Sequence, residues 1–97
     1  MSPLNKRKLS KVRNKLDKLD NILLEIIKKR TSLVNEVLKL KEYKSEIIDR
    51  KRISLILNKI KRKSLKKNID PKITQRIWKN MIWSYIDYEK RNFKNKK

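Results

Sequence analysis

The sequence contains no glycine, alanine, histidine or cysteine, and only two prolines. Without cysteine there is no disulfide framework, no thiolate zinc site and no cysteine nucleophile. Without histidine the commonest general base and the commonest metal ligand are gone. Without glycine the chain cannot make a phosphate loop or a dinucleotide-binding turn, both of which bring backbone against phosphate. No apolar run approaches the ~20 residues of a membrane span, and the first ten residues lack a signal peptide's apolar core. The expectation is a soluble, cytoplasmic protein that uses no metal and no cofactor.

Positive charge is what the chain has in excess. Thirty Lys and Arg against ten Asp and Glu leave +20 on 97 residues. Such a chain attracts phosphate without sequence specificity, so a non-enzymatic, basic helical nucleic-acid-binding protein is one reading. The excess of Lys, Asn and Ile with no Gly or Ala is also what AT-rich coding sequence produces. The cations are spread along the whole chain, and only its ends look like tails. A basic extension over 1–8 and a basic tail over 93–97 therefore flank a helical domain over 9–92. The length allows one small domain, or one chain of an oligomer.

Leu9, Val12, Leu16, Leu19, Leu23, Ile26, Leu33, Val37 and Leu40 recur at three-four spacing, with Arg30 filling the one gap. This predicts one amphipathic helix from about residue 5 to about residue 41, roughly 55 Å long. Residues 43–48 break the pattern. A second helix is expected over 49–65, with Ile53, Ile56, Leu57 and Ile60 inside. Asp70 and Pro71 have the chemistry of an N-cap and a first helical residue. The third helix follows them, carrying Ile73, Ile77, Trp78, Met81, Ile82, Tyr85, Ile86 and Glu89. No segment alternates with period two, so the fold class is all-α. The two shorter helices, about 25 and 35 Å long, cannot cover the long stripe. Its uncovered half is expected to pack on a second copy, as an intertwined symmetric dimer.

Polar residues on apolar stripes are the informative ones, because burying them is costly unless they are paired. Arg30 occupies a core position of the long helix, and Lys41 lies about 16 Å further along on the same stripe. The two bracket a space suited to a small anion. Lys41 taken alone reads as a side chain snorkelling from a helix end. Asp49 and Arg52 at i and i+3 read as a surface ion pair. Tyr85 reads as a core aromatic, whereas Glu89 is a carboxylate placed on a buried face. Arg13 lies about 25 Å from Arg30 along the helix, and in an antiparallel dimer it reaches the Arg30 site of the other chain.

Val12-Arg13 through Leu19-Asp20, then Leu23-Leu24, Lys29-Arg30, Leu33-Val34, Val37, Lys41, Asp49-x-x-Arg52, Asp70-Pro71, Ile77-Trp78 and Met81-Ile82 resemble the all-helical (AroQ class, type II) chorismate mutases. The likeness covers about residues 9–90, and its specificity lies in the set rather than in any one piece. It implies an intertwined antiparallel homodimer of three-helix chains with two active sites. It further implies that Arg30 and Arg52 bind the substrate carboxylates, joined by Arg13 from the partner chain. Lys41 would hydrogen-bond the breaking ether oxygen, and Asp49 would lie at the substrate hydroxyl. Three positions depart from the commonest pattern of that family. Ile53 stands where a glutamate usually receives the hydroxyl, Tyr85 where a serine is usual, and Glu89 where a glutamine usually donates to the ether oxygen.

The resemblance implies conversion of chorismate to prephenate, in the phenylalanine and tyrosine branch of aromatic amino-acid biosynthesis. That reaction needs orientation and preorganised charge rather than proton transfer or a covalent intermediate, so this alphabet suffices. An isochorismate-pyruvate lyase-like relative is the other enzymatic reading, because Ile53 leaves the substrate open. An ionised carboxylate only accepts hydrogen bonds, so Glu89 can donate to the ether oxygen only when protonated. Turnover is therefore expected to fall as pH rises, and Glu89→Gln to remove the fall. A flat wild-type pH–rate profile from acid to mildly basic pH contradicts this role.

Overall fold

The computed structural model describes residues 1–94; residues 95–97, part of the basic tail expected over 93–97, lie outside the described residues. Three helices follow in order: α1 over Pro3–Leu40, α2 over Arg50–Lys66 and α3 over Pro71–Asn92. A 3₁₀ turn at Lys44–Glu46 separates the first two. Among the described residues there is no strand, in keeping with an all-α chain.

Each boundary has a local cause. α1 starts two residues before its expected position, because Ser2 Oγ accepts the Asn5 N–H at 3.1 Å and Pro3 supplies a first residue that needs no donor. The apolar periodicity begins only at Leu9 and cannot show this start. After Leu40 the Lys41 N–H still reaches the Leu38 carbonyl at 3.2 Å, and the chain then leaves the helix. Glu46 secures the turn by accepting the Glu42 N–H at 3.1 Å.

Between α2 and α3 the chain reverses without glycine. Asn68 takes the left-handed conformation, with φ of 57°. The Ile69 N–H bonds the Ser64 carbonyl at 2.9 Å and the Asn68 N–H bonds the Leu65 carbonyl at 3.3 Å. These bonds form a Schellman closure, with asparagine doing what glycine usually does. Asp70 Oδ1 then accepts the Lys72 N–H at 2.9 Å, and Pro71 opens α3.

The chain divides into two compact units, Met1–Leu33 and Val34–Lys97. In the first, the apolar residues of α1 remain open to solvent: Val12, Leu16, Leu19, Leu23 and Ile26 are each 50–56 % exposed. The second unit holds the core, made by Leu38, Ile47, Ile82 and Ile86. Ile48, Ile53, Ile56, Leu57 and Phe93 pack against it, so α2 turns its expected side inward. On α3, Ile73 and Ile77 are exposed. Each precedes a core residue (Ile82 and Ile86) by nine positions, two and a half turns, and so points to the opposite side.

A polar bridge joins α2 to α3 beside their connecting turn. Ser64 Oγ donates to the Ile60 carbonyl at 2.7 Å and lies 2.7 Å from Thr74 Oγ1, with both residues buried. Thr74 Oγ1 also lies 3.5 Å from the Pro71 carbonyl, so each hydroxyl of the bridge has a backbone acceptor beside it. Gln75 Nε2 adds a bond to the Leu57 carbonyl at 2.9 Å. These contacts set the register of α3 on α2.

Candidate active site

The site is best built from its one buried carboxylate. Glu89 lies near the end of α3, one turn beyond Ile86, and is buried. Lys41, one residue past α1, turns inward to meet it. Its Nζ lies 3.2 Å from one carboxylate oxygen of Glu89 and 3.4 Å from the other. The side chains are 19 % and 8 % exposed, so the pair is largely withdrawn from water. This corrects the reading of Lys41 as a snorkelling residue. A stem leaving α1 beside Leu38 finds a carboxylate within reach and takes it in preference to solvent.

The geometry has a chemical consequence. An ammonium group has three N–H donors, and a carboxylate facing it symmetrically occupies one or two of them. At least one donor remains for an oxygen atom of a ligand. Glu89 meanwhile draws the positive charge to this place, one part of electrostatic preorganisation.

Asp49 and Arg52 lie at the start of α2 and are both exposed. The contact between them is not the side-chain ion pair expected at i and i+3. Asp49 Oδ1 accepts the backbone N–H of Arg52 at 3.0 Å, which makes Asp49 the N-cap of α2. The cap holds the helix start in place while leaving the Arg52 guanidinium on the surface. Ile53, the next residue, packs against the core, so nothing at this position can accept a hydroxyl.

Tyr85 is half-buried, and its ring stands edge-on to that of Tyr88, with centroids 6.5 Å apart and an interplanar angle of 90°. Tyr88 donates its hydroxyl to Asn35 Oδ1 on α1 at 2.8 Å. Neither Asn35 nor Tyr88 stood out in the sequence. The available signal was an amide between the apolar pairs Leu33-Val34 and Val37-Leu38, and a second tyrosine three residues after Tyr85. Of the remaining expected residues, Arg30 is half-buried and Arg13 exposed on the part of α1 that forms the first unit.

Fold and site together define an all-α protein with a largely buried lysine–glutamate pair where the last turn of α1 meets the end of α3. The profile of the family described as chorismate mutase type II matches residues 12–90, and the chain belongs to that family. Its activity is accordingly that of an isomerase converting chorismate to prephenate. No curated protein and no solved structure matches the chain. The matched segment contains the positions on which the resemblance rests, from Val12 to Ile82, and the departing positions Tyr85 and Glu89 as well.

Breaking a withdrawn ion pair from one side leaves an uncompensated charge. Lys41→Met is expected to destabilise the protein by about 2–4 kcal/mol in urea denaturation at neutral pH. The double variant Lys41→Met with Glu89→Leu is expected to recover most of that loss. A double variant as unstable as the single one contradicts the pairing.

Proposed function

We propose that the chain works as a cytoplasmic homodimer, its residues 9–92 forming a helical catalytic domain with two active sites, each completed by Arg13 of the other copy. The exposed stripe from Val12 to Ile26 supports the pairing of copies, since an apolar face of that length is unfavourable in water. In each site Arg30 and Arg52 grip the two carboxylates of chorismate, with Arg13 from the second chain beside them. Planar guanidinium forks suit this task because they bond a carboxylate bidentately. Asp49, held at the start of α2 by its cap, sits at the substrate hydroxyl, and Ile53 and Tyr85 complete the wall.

The rearrangement is unimolecular. One C–O bond breaks while one C–C bond forms, and negative charge builds on the departing ether oxygen. Lys41 donates to that oxygen as a point charge. Glu89 joins it in donating when protonated, and when ionised it holds the ammonium group in place. The arginines select the compact conformer in which the reacting carbons meet. Prephenate then supplies the phenylalanine and tyrosine branch of aromatic amino-acid synthesis. The observation that carries this reading is the Lys41–Glu89 pair at 3.2 Å, within a chain of the chorismate mutase family.

The test is the disappearance of chorismate absorbance with the product identified, in the wild-type protein and in Arg30→Ala. Wild type is expected to yield prephenate, and Arg30→Ala to lose about 3 kcal/mol of transition-state stabilisation, roughly a hundred-fold in kcat/KM. Near wild-type turnover in Arg30→Ala contradicts the site assignment. Pyruvate as a product contradicts the mutase reading.

A further inference from the structure

Lys41 and Glu89 are both flexible side chains, and an ion pair between flexible groups does not by itself fix the helices that carry them. A lysine stem can follow α1 through a shift or rotation of its last turns, so that its Nζ meets the carboxylate from a different place. Something stiffer has to set the register. A second polar link between these two stretches, Tyr88 to Asn35, has that character.

We propose that Tyr88, anchored by Asn35, is a positioning residue for the reaction, setting the register of α1 on α3 that aims Lys41 and Glu89. This rests on the reading of Lys41 and Glu89 as site residues. Three observations carry it. The hydrogen bond is short, 2.8 Å from the Tyr88 hydroxyl to Asn35 Oδ1, and partly buried. It joins the same two stretches as the ion pair: Tyr88 directly precedes Glu89, and Asn35 lies six residues, about 9 Å of helix rise, before Lys41. Its partners are a rigid phenol and a short amide, with few rotatable bonds between backbone and hydrogen bond.

Between the two polar links lies Leu38, the buried apolar contact from α1. An apolar contact is non-directional and tolerates sliding, so it cannot replace the hydrogen bond in fixing direction. Tyr88 also braces Tyr85 edge-on. One residue thus contacts both the helix that leads to Lys41 and a side chain of the proposed substrate wall.

The test uses the full-length protein and three variants. Tyr88→Phe keeps the ring and removes the hydroxyl; Asn35→Leu removes the acceptor; Asn35→Asp restores an acceptor oxygen of the same reach. Tyr88→Phe and Asn35→Leu are each expected to lower kcat about ten-fold with KM changed less than about two-fold, because a small misplacement affects the transition state more than ground-state binding. Their combination is expected to be no worse than either alone, and Asn35→Asp to recover most of the loss. A bond that serves stability alone predicts a lower Tm with kcat unchanged below melting, and that result overturns the proposal. So does full additivity of the two losses. A second readout is independent of turnover: the nuclear Overhauser contact between the Lys41 ε-protons and the Glu89 γ-protons. It is expected in wild type and weakened in Tyr88→Phe. Its full retention in a folded Tyr88→Phe protein overturns the positioning role even if wild type proves inactive on chorismate, an outcome that separately refutes the functional reading.

Discussion

The length of the apolar stripe on α1 is the constraint from which the rest follows. A 38-residue helix carries large apolar residues along its whole course, and those of its first two-thirds stand about half exposed. Helices in proteins gain most of their stability from packing an apolar face, not from propensity. The many lysines and arginines of α1 do not meet the requirement, since the stripe stays about half exposed beside them. A second copy offers a surface of matching length. On the proposed reading, pairing the stripes also carries Arg13 into the other chain's site, so one interface serves both stability and catalysis.

The chemistry suits the residues this chain retains. A pericyclic rearrangement asks for cations at fixed places, and fixed places come from short, satisfied polar contacts. Asp49 caps α2 and Asp70 caps α3, Glu46 closes the 3₁₀ turn, and Glu89 holds Lys41. With only ten carboxylates in the chain, several are committed to geometry. Asn68 shows the same economy, supplying the one left-handed residue among the described residues of a sequence without glycine. Among the described residues most of the remaining lysines and arginines are exposed, where their charge adds little to the site.

Legibility in the sequence followed the range of the interaction. The three helices and the Asp70-Pro71 start were readable because periodicity and capping act within a few residues. The Asp49-x-x-Arg52 spacing was visible too, but its meaning was not: spacing alone cannot say whether a carboxylate meets a guanidinium or a backbone N–H. The Lys41–Glu89 pair spans 48 residues in sequence. Each member was conspicuous on its own stripe, yet only the folding of α3 back along the end of α1 joins them. The Asn35–Tyr88 bond spans 53 residues, and its partners are unremarkable types in unremarkable places. Such long-range polar matches depend on how the end of α1 is set against α3, and no local pattern encodes that.

The central claim is that each site is built from two chains, and subunit mixing tests it most directly. Arg13→Ala and Lys41→Ala each damage both sites of their own homodimer. In a mixed dimer the two defects fall in one site and the other site is intact. Unfolding the two inactive variants together at equal amounts and refolding them is therefore expected to restore chorismate mutase activity to about a quarter of wild type, since half of the dimers are mixed and each has one good site. Activity no greater than the sum of the separate variants, in a mixture shown to have exchanged chains, contradicts the account.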